Sequence, residues 1–420
     1  MPNAKQKSAS IFPLLWIMLF DHTSLNITFP VLTLIFFDAK SNLFAPDASN
    51  ALRSMWYGIA VAAPHVVNIV VTPLISALSD EFGRKKILLA GVAGAFFFAV
   101  LAGAGVMWGM MSLFFVGLLI RGAFSRTNPI AQAVIGDISP KQLKVRNMGY
   151  LQFAISVGAF IGPLIGGYFA SQFLFSQLNF SLPFFIAAVF AAMGFLLTLL
   201  IFQETLPLTS RVKSSWSGLN LATFKKVFMN PQVLKISAIL LLSQIGWSLY
   251  YQFMPPILKT TLNFDAHALG FFVGMIAFWL ALATGVGIRL LQKYLNVKAM
   301  LVFSLYLIFL GLLLTVLFCW LHLTGRWQLL IWAAAVPTAV GDVVAFSCLI
   351  ALYSNAVLKE EQGKVMGICF VVVAVIWSLT GILGGVLMSM HELMPLIVAP
   401  LGILAALVLL HSSFRSLSGE

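Results

Sequence analysis

The chain has 420 residues, of which 60% are hydrophobic and only 9% charged, with a formal net charge of +12. A soluble domain carries about 25% charged residues, and disorder needs low hydrophobicity with high net charge, so this composition excludes both. With a mean hydropathy of +0.99 the chain reads as a polytopic membrane protein, its basic excess encoding loop topology rather than nucleic-acid binding.

A membrane helix needs about 20 apolar residues. Apolar runs between charged or Pro/Gly-rich breaks predict twelve spans, at 11–37, 52–78, 87–106, 108–135, 146–171, 182–203, 233–257, 267–290, 299–322, 327–352, 365–389 and 391–412. The runs are continuously apolar rather than alternating, which favours helices over a barrel. The first run is too long for a signal-peptide core and lacks a small-residue cleavage site, so it is expected to remain as helix 1. With the N-terminus inside, 19 Lys and Arg fall on the cytoplasmic side and 4 (Lys40, Arg53, Lys259 and Arg326) on the other. That asymmetry predicts cytoplasmic N- and C-termini.

Span 1 carries Asp21 and His22, and span 2 carries His65. The loop after span 2 runs Ser76-Ala-Leu-Ser-Asp80-Glu-Phe-Gly83-Arg84-Lys85-Lys86. It resembles the signature loop of the major facilitator superfamily, G-x-L-x-D-x-x-G-R-[RK], with Ser76 at the first Gly. Span 4 holds Arg121 and Arg126 and ends Pro129-Ile-Ala-Gln132-Ala133-Val-Ile-Gly-Asp137. That end is similar to the same helix in tetracycline-type antiporters of the superfamily. The family's R-x-x-Q-G motif is displaced: Leu118 stands at the Arg position, Arg121 at the Gln and Gly122 at the Gly. Span 5 spaces Gly149, Gly158, Gly162-Pro163 and Gly166-Gly167, which resembles the antiporter motif of the drug:proton antiporter families. Glycines let helices approach closely, and Pro163 removes a backbone bond and kinks the helix. These residues form a candidate packing hinge.

The stretch 204–232 divides the spans six and six. Leu219, Leu221, Phe224, Val227 and Phe228, with Lys225 and Lys226 among them, predict an interfacial amphipathic helix. The expected domains are a six-helix bundle at 1–203, this cytoplasmic linker, and a second bundle at 233–420. An offset of 218 matches Met148 with Met366, Gly149 with Gly367, Gly166 with Gly384 and Gly167 with Gly385. Internal repeats of this kind mark one class of secondary transporter. The fold class is an all-α membrane protein, twelve transmembrane helices in two pseudo-symmetric bundles. In the second half, the signature loop near Arg289 to Lys298 is degenerate. Cys319, Cys348 and Cys369 lie inside apolar spans and offer neither disulfide framework nor zinc spacing.

Ionisable groups at bilayer depth are candidate functional sites. Asp21, Arg121 and Asp342 of span 10 fall near mid-membrane, and the resemblance implies that spans 1, 4, 7 and 10 line a central cavity. Asp21 and Asp342 are candidate proton carriers. Arg121 and Arg126 are candidate anion binders, because guanidinium matches carboxylate or phosphate with two prongs. His65, Asp342 and the span 7 residues Gln244, Trp247, Tyr250 and Tyr251 complete the candidate substrate site. A structural Asp21–Arg121 ion pair is the plainer alternative. The resemblance also implies that Arg84 pairs with Asp137 and that Asp80 faces the N-terminus of span 11, where a helix dipole favours a carboxylate. With Gly83 they form a candidate cytoplasmic gate.

No HExxH, G-x-S-x-G or G-x-x-x-x-G-K-[ST] is present, so neither an enzyme nor an ATP-driven pump is expected, and no cofactor or metal. The expectation is a monomeric, proton-coupled transporter of a small organic solute in a bacterial inner membrane, working by alternating access. The antiporter motif favours efflux of an amphipathic compound. Arg121 and Arg126 favour the alternative, import of an anionic nutrient or a carboxylate metal chelator.

Overall fold

Hydrocarbon offers no hydrogen bonds, so a spanning segment must satisfy its backbone internally, and helices do this locally. The computed structural model describes residues 11–45, 47–124, 127–140, 142–171, 179–206, 230–356 and 362–412. Among these the regular elements are helices. They are α1 (Phe12–Phe37), α2 (Asn50–Phe82), α3 (Arg84–Trp108), α4 (Met111–Phe124), α5 (Thr127–Ile138), α6 (Lys144–Ser171) and α7 (Leu182–Leu200), followed in the second half by α8 (Pro231–Leu262) and α9 (Ala266–Leu282). A π-helical turn at Ala283–Gly287 joins α9 to the short α10 (Ile288–Leu291). The chain ends with α11 (Val297–Trp320), α12 (Leu329–Asn355), α13 (Gln362–Met390) and α14 (Met394–Ser412).

Eleven of the described helical segments are long and apolar enough to cross a membrane. The expected fourth span is described in two parts, α4 of 14 residues and α5 of 12, on either side of residues 125 and 126, which lie outside the described residues. The predicted amphipathic helix in 204–232 and the candidate anion binder Arg126 lie outside the described residues.

Gly83 accounts for the shape of the signature loop. It ends α2 and caps α3 with φ of 101° and ψ of 155°, a conformation open to glycine and strained for residues with a Cβ. Three further helix N-termini are capped by side chains: Ser49 receives the Leu52 N–H, Asn230 the Gln232 N–H and Asp265 the Ala268 N–H.

Helices before residue 207 pack mainly on one another, α1 on α6 and α7, and α3 on α4 and α7. Those after residue 229 do likewise, α11 on α12 and α8 on α14. Two seams join the sets, α2 with α13 and α6 with α9. At each seam two glycines meet. A Cβ on Gly58 would lie 2.8 Å from the Gly385 Cα, and one on Gly167 would lie 2.8 Å from the Gly270 Cα. Gly167 and Gly385 are one of the matched pairs of the 218-residue repeat. Gly158 and Gly162 face α1 instead: a Cβ on Gly158 would lie 2.7 Å from the Leu19 carbonyl oxygen, one on Gly162 would lie 2.8 Å from that of Thr23, and one on Gly166 would clash with Ile27. Pro163 stays inside α6. Both glycine seams lie toward the end of the molecule that carries Asp38 and Lys259. At the opposite end, marked by Arg84, Gly149 and Gly285 have no neighbour within 4 Å of an added Cβ.

Candidate functional site

A cavity of about 300 Å³ lies between the two sets of helices. Its walls come from α1 (Phe29), α2 (His65 and Asn68), α4 (Arg121), α8 (Gln252) and α13 (Phe370 and Trp377), among others. The expected lining by spans 1, 4, 7 and 10 is therefore met for 1, 4 and 7, while spans 2 and 11 take the place that span 10 was expected to fill. Arg121 is the cation in this wall, and its guanidinium lies over the Phe98 ring, 5.3 Å from the centroid. Among the described residues no carboxylate contacts it. Such a group at membrane depth is costly unless an anion or an aromatic face compensates it.

Asp21 is 1% exposed. Its carboxylate accepts the Thr127 hydroxyl at the start of α5. The alternative Asp21–Arg121 pair is not among the ion pairs of the described residues; Arg121 faces the cavity and Asp21 faces Thr127 at the start of α5. Next to Asp21, the His22 Nε2 is buried without a hydrogen-bond partner among the described residues.

The span 7 candidates form a layer behind the cavity rather than its wall. Tyr251 stacks on Phe29 at 4.9 Å between centroids, and Trp247 and Trp377 flank it at 5.5 and 5.8 Å. Tyr250 is fully buried against Trp247. Asp342 of α12 does not reach the cavity. Gln244 Nε2 donates to its Oδ1 at 3.3 Å, and the Trp377 indole N–H donates to Gln244 Oε1 at 3.1 Å. Trp377 is thus one residue that the sequence did not single out: a charge-led search passes over an indole in an apolar span.

At one end of the molecule an ion pair ties the two sets of helices. Lys259 Nζ lies 2.7 Å from Asp38 Oδ2. Burial of Asp38 opposes its charge. The Lys259 hydrogen bond, the Lys40 backbone N–H and both ammonium charges outweigh burial and hold the carboxyl below its ordinary value. Arg53 fastens the same end, donating to the carbonyls of Phe36, Ala45 and Ala48 at 2.9 to 3.1 Å. A carboxyl lowered in the paired state stabilises that state above its ordinary value of about 4. The contribution disappears as pH falls through the lowered value. Spin labels at the exposed positions Ala51 and Met390 should therefore report one short separation at neutral pH and a longer one in acid. In Asp38→Asn the longer separation should be present at neutral pH and insensitive to acid.

The other end carries the signature loop. Arg84 is 8% exposed. It pairs with Asp80 at 2.6 Å and Asp137 at 3.1 Å and donates to the Ser79 hydroxyl at 2.6 Å. The Arg84–Asp137 contact matches the expectation. Asp80 faces Arg84, and the side chains of the start of α13, its expected partner, lie outside the described residues. The pairs formed here join α2, α3 and α5 within the first half. Glu204 was not anticipated. It receives the backbone N–H of Arg84 at 2.9 Å and of Lys85 at 3.3 Å, placing a carboxylate at the N-terminus of α3, where the helix dipole favours it.

The sequence matches the family model described as Major Facilitator Superfamily over residues 11–381. It is 26% identical to the tetracycline resistance protein, class H, of Pasteurella multocida over 390 residues, covering 90% of this chain and 88% of that protein. The structure superposes on that of the human organic anion transporter MFSD10 (TETRAN) with a TM-score of 0.68 and 17% identity, covering 97% of this chain and 100% of the other. A D-xylose-proton symporter gives a TM-score of 0.74 at 15% identity, covering 95% and 97%.

Proposed function

The chain belongs to the Major Facilitator Superfamily, and from that premise we propose that this multi-pass membrane transporter is proton-coupled, works by alternating access and expels an amphipathic organic compound. The observation that carries the proposal is the cavity walled by helices of both halves, with a deeply buried carboxylate, Asp21, hydrogen-bonded to Thr127 at the start of α5. Asp21 exchanges its charge for a proton as the halves rock, and Asp342 is the corresponding group in the second half. The relatives named for tetracycline resistance support efflux.

In this reading α4 and α5 belong to one crossing, bringing the count to twelve, in bundles at 1–203 and 233–420 joined by the 204–232 linker. Both termini are cytoplasmic, so Asp38 and Lys259 seal the outer side and the Arg84 end opens inward. Asp80, Gly83, Arg84 and Asp137 form the cytoplasmic gate, assembled in its own half and awaiting the opposite one. Gly158, Gly162, Pro163, Gly166 and Gly167 let α6 slide and bend against α1 and α9. The protein acts as a monomer in a bacterial inner membrane.

Arg121 in the cavity wall favours a second reading on the same fold, import of an anionic nutrient or a carboxylate metal chelator. A thermal-shift panel separates the two, because a compound that binds the folded state raises its melting temperature. Efflux predicts stabilisation by lipophilic cations or neutral drugs that persists in Arg121→Gln. Stabilisation by di- or tricarboxylates, amino acids or iron chelators that disappears in Arg121→Gln would replace efflux with the anion reading.

A further inference from the structure

We propose that Gln244 is a positioning residue that transmits the proton occupancy of Asp342 to the cavity wall by rotating its side-chain amide between Asp342 and Trp377. The inference rests on the proton-coupled reading and adds the means by which a carboxyl outside the cavity acts on it.

The three groups lie on three helices. Gln244 of α8 sits between Asp342 of α12 and Trp377 of α13, donating to the first at 3.3 Å and accepting from the second at 3.1 Å. The partners fix the amide orientation. An ionised carboxylate can only accept and an indole N–H can only donate, so Nε2 faces Asp342 and Oε1 faces Trp377. Gln244 is 4% exposed and Asp342 8%, so an unmade bond is not replaced freely by water.

A proton bound by the Asp342 carboxylate turns it into a neutral carboxyl with an O–H to donate. Gln244 is the side-chain partner of Asp342, and its amide oxygen is an acceptor that can meet that O–H. Rotating the amide by a half turn presents Oε1 to that O–H and turns the NH₂ toward the Trp377 N–H. Two donors then face each other and the Trp377 bond is lost. Releasing the proton restores the carboxylate and the original orientation. Trp377 lines the cavity, so its ring is held in one proton state and freed in the other. The aromatic neighbours that would feel this are His65 from α2 at 5.2 Å and Tyr251 from α8 at 5.8 Å. Arg121 from α4 shares the cavity. Histidine is the side-chain type whose unperturbed charge change falls between about pH 5 and 8, so the test must separate His65 from Asp342.

The test is a pH titration of the Trp377 component of tryptophan emission, taken as wild type minus Trp377→Phe, on the full chain in lipid nanodiscs. The expected result is a sigmoidal shift of that component that persists in His65→Asn and vanishes in Asp342→Asn and in Gln244→Leu. A flat wild-type signal, or a transition unchanged in Gln244→Leu, would overturn the proposal. If Gln244→Leu does not melt as a folded protein, wild type and Asp342→Asn decide, and a transition unchanged in Asp342→Asn overturns it. The readout needs neither substrate nor flux. Gradient-driven transport with a flat Trp377 signal would remove the relay alone, and a titrating Trp377 without gradient-driven transport would remove the coupling reading.

Discussion

Asp21→Asn is expected to abolish uphill transport while leaving ligand binding intact. The substitution keeps an oxygen to accept the Thr127 hydroxyl and keeps the shape of a side chain that is 1% exposed. What it removes is the ability to gain and lose a proton. The protein should therefore fold, bind and exchange solute downhill, but pH-driven accumulation should fall by about 100-fold or more, the scale on which losing a positioned proton carrier slows a proton-dependent step. Proteoliposomes with an imposed pH gradient provide the measurement, with the melting temperature as the control for folding. Full accumulation by the variant would take Asp21 out of the mechanism.

Gly58→Val should unseat the seal at the Asp38–Lys259 end. A Cβ at Gly58 would lie 2.6 Å from the Gly381 carbonyl oxygen and 2.8 Å from the Gly385 Cα. Both obstacles are backbone of α13, so no side-chain rotation relieves them. Overpacking of this kind costs about 1–3 kcal/mol. Because it acts only where the halves touch, the cost falls on the outward-closed state alone. About 1.4 kcal/mol is a tenfold change in population. The Ala51–Met390 label separation should shift toward its longer value by about that factor or more. The repeat makes a companion prediction: Gly270→Val should act in the same direction, since Gly270 meets Gly167 at the other seam. An unchanged separation in both variants would show that the seams are not where the halves part.

Much of this was legible in the sequence, and the losses have physical causes. Apolar run length located the crossings, because a helix in lipid is selected by length and hydropathy. The Arg84–Asp137 contact followed from the signature loop, whose Gly83 requires a positive φ. Depth along a span says nothing about which way a side chain faces. That is why Asp21 and Arg121, close in depth, could be read as a pair although they point to different places. For the same reason Asp342 could be read as lining a cavity that it reaches only through Gln244 and Trp377. The Asp38–Lys259 tie joins residues 221 apart in sequence and belongs to one conformation of the halves, which no local pattern encodes. Its one signal was the scarcity of basic residues on the side expected to face out, where Lys259 is one of four.

Proton-driven flux through the reconstituted wild-type protein is the measurement that bears most directly on the account. The full chain would be placed in sealed liposomes, loaded with the compound that most raises its melting temperature in the thermal-shift panel, and given a pH gradient of either sign. The account predicts movement of that compound against its own gradient, in a direction set by the sign of the pH gradient and abolished by a protonophore. Movement that only equalises the two sides, at a rate indifferent to the pH gradient, would contradict it.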